Sequence, residues 1–251
     1  MTVTDLSGKR ALITGASSGL GRHFAKVLAA SGAEVVLAAR RVDRLASLAE
    51  EISAQHGSEA SCVAMDVTEP DSIRDAVVAA GAVDILINNA GVARSKGVLG
   101  FDADDFDFVM DANLRGAFLV ATSVARSMRD RGMGGAIVNV ASILGLRQGS
   151  QLTVYAISKA AVVQMTKQLA LELARYDIRV NAIAPGYFET DINRGFLESP
   201  AGEAMLRRIP QRRFGNFEDL DGPLTLLSSD AGRYMTGVII PVDGGHLLSP
   251  L

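Results

Sequence analysis

Tyr155 and Lys159 are four residues apart, a spacing that places two side chains on the same face of a helix. A free phenol has a pKa of about 10 and transfers protons poorly near neutrality. A nearby ammonium group favours the phenolate and lowers that pKa, so such a pair can act as a general acid and base. Exposed helix pairs often have the same spacing. This pair gains weight from Ser142, which lies thirteen residues before Tyr155 at the end of an apolar run.

A glycine-rich turn near the start of the chain, at residues 14–21, has the composition of a nucleotide-binding loop. It follows an apolar run at 11–13 that predicts a buried strand, and it precedes a helical pattern that stops near Gly32. Glycines allow a tight turn and a close approach of the backbone to a pyrophosphate, while the helix N-terminus supplies amide donors. An ordinary turn is the alternative, but the strand–turn–helix context favours nucleotide binding.

Three further motifs follow along the chain: Asp66-Val67, Asn88-Asn89-Ala90-Gly91, and Pro185-Gly186 with Thr190 four residues on. Together with the glycine turn, Asn113, Ser142 and the tyrosine–lysine pair, they resemble the motifs of the short-chain dehydrogenase/reductase family in identity and order. The resemblance runs from about residue 5 to about residue 246. It implies a nicotinamide cofactor that exchanges a hydride with a ketone or a secondary alcohol, as in a ketoreductase or an alcohol dehydrogenase.

The resemblance also implies a role for each member of a catalytic tetrad. Tyr155 would donate its proton to a ketone oxygen, or accept one from an alcohol. Lys159 would lower the pKa of Tyr155 and bind the nicotinamide ribose. Ser142 would stabilise the charge that develops on the carbonyl oxygen, and Asn113 would hold a water that connects Lys159 to solvent. The residues expected to contact the cofactor are Gly15, Ser17, Ser18, Gly19, Leu20, Gly21, Arg40, Arg41, Asp66, Val67, Asn88, Ala90, Gly91, Tyr155, Lys159, Pro185, Gly186 and Thr190.

The residues after the second predicted strand favour NADP(H) over NAD(H). NAD-preferring relatives often carry aspartate where this chain has Ala39, because a carboxylate accepts hydrogen bonds from the ribose 2′-hydroxyl and repels a 2′-phosphate. Arg40 and Arg41 come next, and guanidinium groups bind phosphate through charge-assisted hydrogen bonds. Ser17 could add a hydroxyl donor. We expect Arg40 to carry most of the preference, with NAD(H) as the alternative cofactor.

Apolar segments with the length of strands alternate with amphipathic helical segments. Parallel strands need intervening helices, and strands buried on both faces are continuous apolar runs. The pattern predicts an α/β fold, a single doubly wound Rossmann-type domain over residues 1–251 with a seven-stranded parallel sheet flanked by helices on both faces. Ligands bind beyond the carboxyl ends of such strands, so the motifs should converge on one crevice. The predicted strands are 11–13, 35–38, 62–65, 85–87, 136–140, 180–184 and 238–241.

The substrate end carries less information. We expect a lid at about 187–210 and a mostly apolar lining, which favours an uncharged, largely apolar ketone or its alcohol. Leu146 and Leu197 add to this apolar character, whereas Arg147 is a contrary observation because it could pair with a carboxylate. The pocket residues expected to contact the substrate are Leu144, Gln148, Tyr187, Phe188 and Phe196.

A 3-oxoacyl thioester on an acyl carrier or coenzyme A is the main alternative substrate. The arginines at 207, 208, 212 and 213 could grip such a carrier, although a solvated helix face is the simpler interpretation. A non-catalytic NAD(P)-binding sensor or scaffold belongs to another functional class. The intact tetrad argues against it, because a protein that only binds the nucleotide has no use for Tyr155 beside Lys159.

The composition excludes several other classes. The chain has 251 residues, 48% of them apolar, and a net charge of −3, which suits one domain with its own core and gives no indication of nucleic acid as a partner. No apolar run is long enough to span a membrane, and no signal-peptide pattern is visible, so we expect a cytoplasmic protein. The single Cys62 excludes an internal disulfide. No cluster has metal-ligand spacing, and His246 is expected to face solvent.

The helical segment around 160–174 is apolar nearly all round, which predicts burial on both sides. The sheet can cover only one side, so a second copy of the chain should cover the other. The segment itself predicts only association, and the family resemblance implies a homotetramer.

Overall fold

The computed structural model describes residues 4–189, 194–197 and 199–248. Its strands are β1 (Arg10–Thr14), β2 (Glu34–Ala39), β3 (Ala60–Ala64), β4 (Ile85–Asn88), β5 (Gly135–Val140), β6 (Ile178–Pro185) and β7 (Ile239–Val242). All pair in parallel in one sheet with the order β3-β2-β1-β4-β5-β6-β7. The predicted seven-stranded parallel sheet is therefore confirmed, with individual strand ends displaced by up to two residues.

Helices lie on both faces of this sheet. They are α1 (Gly19–Ala30), α2 (Val42–His56), α3 (Pro70–Ala80), α4 (Ala103–Met110), α5 (Ala117–Arg131), α6 (Thr153–Leu173), α7 (Arg194–Leu197), α8 (Pro200–Leu206) and α9 (Asp221–Ser228). A π-helical turn, Asp111–Gly116, joins α4 to α5.

Two buried apolar clusters hold the three layers together. Side chains alternate across a strand, so Leu12 of β1 belongs to one cluster and the adjacent Ile13 to the other. The first cluster joins the sheet to α3, α5 and α6, and the second joins it to α1, α2 and α9. Burial on both faces explains why the central strands are mostly apolar.

The strand order reverses beside β1, and this reversal places the predicted motifs together. The chain moves outwards from β1 to β2 and β3, then returns to β4 on the other side of β1. A crevice opens beyond the carboxyl ends of β1 and β4, where dinucleotides bind in such sheets. The hydroxyl oxygen of Thr14 closes the base of the crevice, because it accepts hydrogen bonds of 3.0 Å from the backbone amides of both Asn89 and Ala90.

The outer face of α6 is more polar than the sequence pattern suggests. Gln164, Lys167 and Gln168 are exposed there, beside the apolar Ile157 and Leu171. Among the described residues, no helix is both long and apolar enough to cross a membrane, and no group of three His, Cys, Asp or Glu side chains could hold a metal ion.

Candidate active site

One large cavity, of about 1870 Å³, lies beyond the carboxyl ends of the strands. Small-molecule pockets typically measure about 300–1,000 Å³, so this one has room for a dinucleotide and a substrate together. The structure brings most of the predicted site residues to its wall: Gly15, Ser17, Ser18, Gly19, Leu20, Arg40, Arg41, Asp66, Val67, Ala90, Gly91, Ser142, Leu144, Gln148, Tyr155, Lys159, Pro185, Gly186, Tyr187 and Phe188.

The glycine turn has a backbone that only glycine can adopt without strain. Gly15 and Gly19 have φ angles of 69° and 54°, in the left-handed region. A Cβ atom on Gly21 would lie 2.4 Å from the carbonyl oxygen of Gly15, so a side chain there would force the turn apart. Helix α1 begins at Gly19, and its first amides have no partner within the helix. The turn therefore offers an amide-lined cradle that fits a pyrophosphate.

Two arginines border the adenosine end of the cavity. The Arg41 guanidinium donates hydrogen bonds of 2.9 Å to the Ser17 hydroxyl and 3.4 Å to the Ser18 hydroxyl, and so lies over the glycine turn. The Arg40 guanidinium points elsewhere, with Nη1 3.8 Å from a carboxylate oxygen of Asp66. The sequence could not show this difference, because both arginines follow the same strand.

Asp66 is held in place by its own loop. Its carboxylate accepts hydrogen bonds of 3.0 Å from the Thr68 amide and 2.8 Å from the Thr68 hydroxyl. Burial alone would raise the pKa of Asp66, but the bonds from Thr68 and the charge of Arg40 outweigh it, so the pKa lies below 3.8. The group is therefore an ionised acceptor at neutral pH, beside the space predicted for the adenine.

Asn88 supports the crevice from within the sheet and does not line it. Its side-chain amide donates to the backbone oxygen of Ala117 at 2.7 Å and to the Asn139 side chain at 3.1 Å. A contact between the Asn88 side chain and a cofactor does not fit this position. Ala90 and Gly91, by contrast, line the cavity.

Ser142 and Tyr155 meet at the centre of the cavity wall. Ser142 follows β5, and its oxygen accepts a 3.1 Å hydrogen bond from the Leu144 amide, which fixes the side chain at the start of a short turn. Tyr155 lies in the first turn of α6 and lines the same stretch of cavity wall as Ser142. Two hydroxyl groups thus converge where a substrate oxygen can approach both.

Lys159 lies one turn further along α6 and is almost fully buried, with 5% of its surface exposed. Its ammonium donates a 2.8 Å hydrogen bond to the Val140 carbonyl and lies 5.7 Å from the centre of the Tyr155 ring. Burial lowers the pKa of Lys159 to about 8.

The expectation that Lys159 lowers the pKa of Tyr155 is wrong for this structure. Burial raises the pKa of Tyr155 above its usual value near 10, and the nearby Ser142 hydroxyl only partly offsets this. The physical reason is that the ammonium is directed to Val140 and not to the phenol. Tyr155 is consequently a neutral phenol at physiological pH, the form that donates a proton.

Asn113 lies in the π-helical turn and braces the loop after β4 instead of lining the cavity. Its side chain forms both a 2.7 Å bond from the Val92 amide and a 2.9 Å bond to the Val92 carbonyl, and it also donates to the Ser158 hydroxyl. A Cβ on Gly91 would lie 3.1 Å from the Asn113 oxygen and 3.7 Å from the Lys159 nitrogen. Glycine leaves that space open, and the water expected to link Asn113 with Lys159 stays a prediction.

The nicotinamide and substrate end is described in part. Pro185 and Gly186 line the cavity at the end of β6, while Thr190 lies outside the described residues. Phe196 belongs to α7, and its contact with a substrate stays a prediction. Leu146 does not belong to the lining, because 42% of its surface faces solvent.

Arg147, Arg208 and His246 are polar side chains that line this end. The sequence analysis treated Arg147 as a contrary observation and Arg208 as an alternative carrier contact, and it missed His246. His246 was expected in solvent but is 5% exposed, with its ring centre 5.7 Å from that of Tyr187. Gly244 and Gly245, with φ angles of 62° and 85°, turn the chain back towards the cavity. A Gly-Gly pair is a turn signal and could have indicated this return.

Comparison with known proteins places the chain among oxidoreductases of similar size. Residues 15–246 match the family model described as enoyl-(acyl carrier protein) reductase. Gluconate 5-dehydrogenase from Gluconobacter oxydans is 39% identical over 250 residues, covering 98% of this chain and 97% of that protein.

Two solved structures show the same architecture. A short-chain type dehydrogenase/reductase from Mycobacterium marinum is 41% identical, with a TM-score of 0.91 and coverage of 97% of both chains. A gluconate 5-dehydrogenase from Burkholderia cenocepacia, solved in complex with NADP and tartrate, is 36% identical with a TM-score of 0.95, covering 99% of this chain and 98% of that one.

Proposed function

The chain belongs to the short-chain dehydrogenase/reductase family, and from this premise we propose that it transfers a hydride between NADP(H) and a ketone or secondary alcohol. The observation that carries the proposal is that Ser142 and Tyr155, with Lys159 one turn away, lie on the wall of a cavity that also contains the glycine turn. A protein that only bound the nucleotide would not need this pair.

NADP(H) is the cofactor that fits the residues at the adenosine end. Ala39 offers no carboxylate to repel a 2′-phosphate, and Arg40 and Arg41 bring two positive charges to the cavity wall. The Burkholderia relative was solved with NADP. The bound cofactor would supply or accept the hydride, while the chain supplies orientation and a proton.

Proton transfer falls to Tyr155. In reduction, the neutral phenol gives its proton to the ketone oxygen as the carbonyl carbon receives the hydride, so that a secondary alcohol forms. Ser142 donates a hydrogen bond to the same oxygen, where it stabilises developing negative charge. Lys159, with a pKa of about 8, exchanges protons near neutrality and is placed beside the Tyr155 ring. Oxidation of an alcohol needs the phenolate, which becomes more populated as the pH rises.

The substrate within this class is open to test. Leu144 and Phe188 support the apolar ketone expected from the sequence, since both are buried and line the cavity. The family model named for an enoyl-(acyl carrier protein) reductase supports a thioester instead, and the gluconate 5-dehydrogenase relatives support a sugar acid.

A substrate panel tests the proposal. Purified protein is mixed with NADPH or NADH and with an aliphatic ketone, a 3-oxoacyl thioester or a keto sugar acid, and loss of reduced cofactor is followed. We expect NADPH-dependent reduction of at least one class, lost in Tyr155→Phe. Cofactor binding without turnover of any class would favour a sensor or scaffold.

Association into a homotetramer and a cytoplasmic location are further parts of the proposal. Exposed apolar side chains on α4, α5 and α6 support association, among them Phe106, Phe118 and Leu171. The location rests on the sequence alone.

A further inference from the structure

At the substrate end of the cavity, the geometry points to an anion subsite, made by Arg147, Arg208 and His246, that binds the carboxylate of a hydroxy acid or keto acid. The inference rests on the proposed function, because it names the substrate class of the same site. It differs from the uncharged substrate that the sequence predicts. That prediction depends on an apolar pocket lining, and only part of the expected apolar lining is found at the cavity.

Arg147 stands on the segment between Ser142 and Tyr155. Its guanidinium donates a 2.5 Å hydrogen bond to the backbone oxygen of His246, which fixes the planar group at the cavity wall. A guanidinium has five N–H donors, and the others on Arg147 have no partner among the described residues. A held guanidinium with unused donors suits bidentate binding of a carboxylate.

His246 supplies a buried donor or acceptor that the described part of the chain does not satisfy. Its ring lines the cavity, and Nδ1 is buried without a hydrogen-bonding partner among the described residues. Buried polar atoms are nearly always paired, because an unpaired one keeps the full cost of losing its hydration. Burial and the charges of Arg147 and Arg208 lower the pKa of His246, while Asp243 opposes them, so the ring is neutral and can present one N–H.

Arg208 adds a second positive charge. It follows α8 and lines the cavity, and its guanidinium has no hydrogen-bonding or ion-pairing partner among the described residues. The nearby Asp243 carboxylate is occupied by the backbone amides of Gly245 and Leu247. The positive charges of Arg147 and Arg208 are therefore not fully compensated by the described residues at this end of the cavity.

Among the described residues, the carboxylates that line the cavity lie at its other end. Asp66 is bound by Thr68, and Asp111 is 4.0 Å from Arg115, whose guanidinium reaches the Thr68 carbonyl. The third, Glu69, follows directly after Thr68. The described acidic groups of the lining therefore lie near Thr68 and Arg115, and none of them pairs with Arg147 or Arg208.

The subsite lies within reach of the chemistry. Burial raises the pKa of Tyr187, and the nearby charge of Arg147 partly offsets this. Tyr187 also raises the pKa of Tyr155, through the repulsion between the two side chains when both are ionised. Tyr187 is consequently close to both groups, so one small molecule could place its carboxylate at Arg147 and its ketone at Tyr155.

Matched substrates that differ only in charge test the inference. The pairs are 5-keto-D-gluconate with L-sorbose, and 5-oxohexanoate with its methyl ester, assayed by NADPH oxidation with acetoacetyl-coenzyme A as a third arm. We expect kcat/KM for at least one acid to exceed that of its neutral partner by about tenfold or more. Arg208→Gln should lower this ratio about tenfold, mainly through KM, and His246→Phe should lower it too.

Arg207→Gln is the matched control, because Arg207 is exposed beside Arg208 but does not line the cavity. Equal turnover of acid and neutral partner, or a ratio unchanged in Arg208→Gln, would overturn the subsite. A preference for acetoacetyl-coenzyme A that depends on Arg208 would also overturn the subsite, because Arg208 would then bind the coenzyme A phosphates and not a substrate carboxylate. If no ketone is reduced, the proposed function fails, and calorimetric titration of the two acids then tests the subsite by itself. Binding that is weakened about tenfold in Arg208→Gln supports the subsite. Absence of binding refutes it.

Discussion

The ammonium group of Lys159 donates a 2.8 Å hydrogen bond to the carbonyl oxygen of Val140, the last residue of β5. This bond joins α6 to β5, which ends two residues before Ser142. The end of β5 therefore positions both Lys159 and Ser142. The bond replaces only part of the hydration that an ammonium loses on burial. The pKa of Lys159 accordingly falls from 10.5 to about 8.

Lys159→Met should therefore stabilise the fold while it removes activity. Each pKa unit corresponds to about 1.4 kcal/mol, so the fall from 10.5 to about 8 represents up to about 3 kcal/mol of destabilisation by the charged lysine. Below pH 8 the unfolded and folded lysines are both charged and this cost is fully present. As the pH rises from 8 to 10.5, the folded state binds fewer protons than the unfolded state, and the cost disappears.

The measurement is thermal or urea unfolding of the wild type and Lys159→Met at pH 7 and above pH 10, with NADPH oxidation assayed in parallel. The variant should unfold at higher temperature at pH 7, and the difference should shrink at high pH. Lys167→Met is the matched control, since Lys167 lies exposed on the same helix and should not change stability. Equal or lower stability of Lys159→Met at pH 7 would show that the bond to Val140 outweighs the cost of burial.

Tyr155→Phe should reduce carbonyl reduction by at least about a hundredfold, the low end for general acid–base catalysis. The substitution removes only the hydroxyl, so the ring still packs and cofactor binding should persist. Steady-state kinetics measures the loss of activity, nucleotide titration measures cofactor binding, and thermal melting measures stability. Tyr176→Phe is the control, because Tyr176 pairs with Arg175 away from the cavity. Full activity in Tyr155→Phe with unchanged melting would remove Tyr155 from the mechanism.

The pH dependence of that reaction has a definite sign. Because the pKa of Tyr155 is raised, reduction should stay active from neutral to mildly alkaline pH and fall only when the phenol ionises. Oxidation of the corresponding alcohol should rise over the same alkaline range. Profiles of kcat/KM in both directions check this, and a reduction rate that increases with alkaline pH would contradict it.

Sequence patterns were sufficient for the sheet and most of the cofactor wall. Strand periodicity and glycine spacing are local properties, and the end of a parallel strand fixes where a motif residue such as Gly15 or Ser142 must lie. The direction in which a side chain points, by contrast, depends on contacts with residues that are distant in the sequence. Asn88 and Asn113 follow the expected elements, yet both turn inwards because backbone groups of Ala117 and Val92 are their partners.

The substrate end depended on contacts between distant segments, which a single sequence does not display. His246 is 99 residues from Arg147 along the chain, and only the folded structure joins them. Arg208 is one of four closely spaced arginines, of which Arg213 pairs with Asp219. Composition alone could not tell which arginine faces the cavity.

Self-association can be tested on the outer face of α6. Leu171 is 75% exposed there, and such a side chain is a candidate for burial against a second copy of the chain. We expect light scattering at micromolar concentration to give a multiple of the monomer mass, and Leu171→Glu to shift it towards the monomer. Met133→Glu, in the exposed loop after α5, is a control with the same change of charge. A monomer mass for the wild type would refute association.

Cofactor preference should depend more on Arg41 than on Arg40, contrary to the expectation from sequence. Arg41 is held over the glycine turn by the hydroxyl groups of Ser17 and Ser18, where an adenine ribose phosphate would lie beside the amides of α1. The Arg40 side chain is 72% exposed and is shared with Asp66, so part of its charge is already compensated.

We expect kcat/KM for NADPH to exceed that for NADH by about tenfold or more, the equivalent of one charge-assisted contact at about 1.4 kcal/mol. Arg41→Ala should remove most of this preference through KM for NADPH, and Arg40→Ala should remove less. Arg44→Ala, an exposed position on α2 outside the cavity lining, should leave it unchanged. If Arg40→Ala alone abolished the preference, the bond from Arg41 to Ser17 would be a local structural contact, and Arg40 would be the phosphate ligand that the sequence predicts.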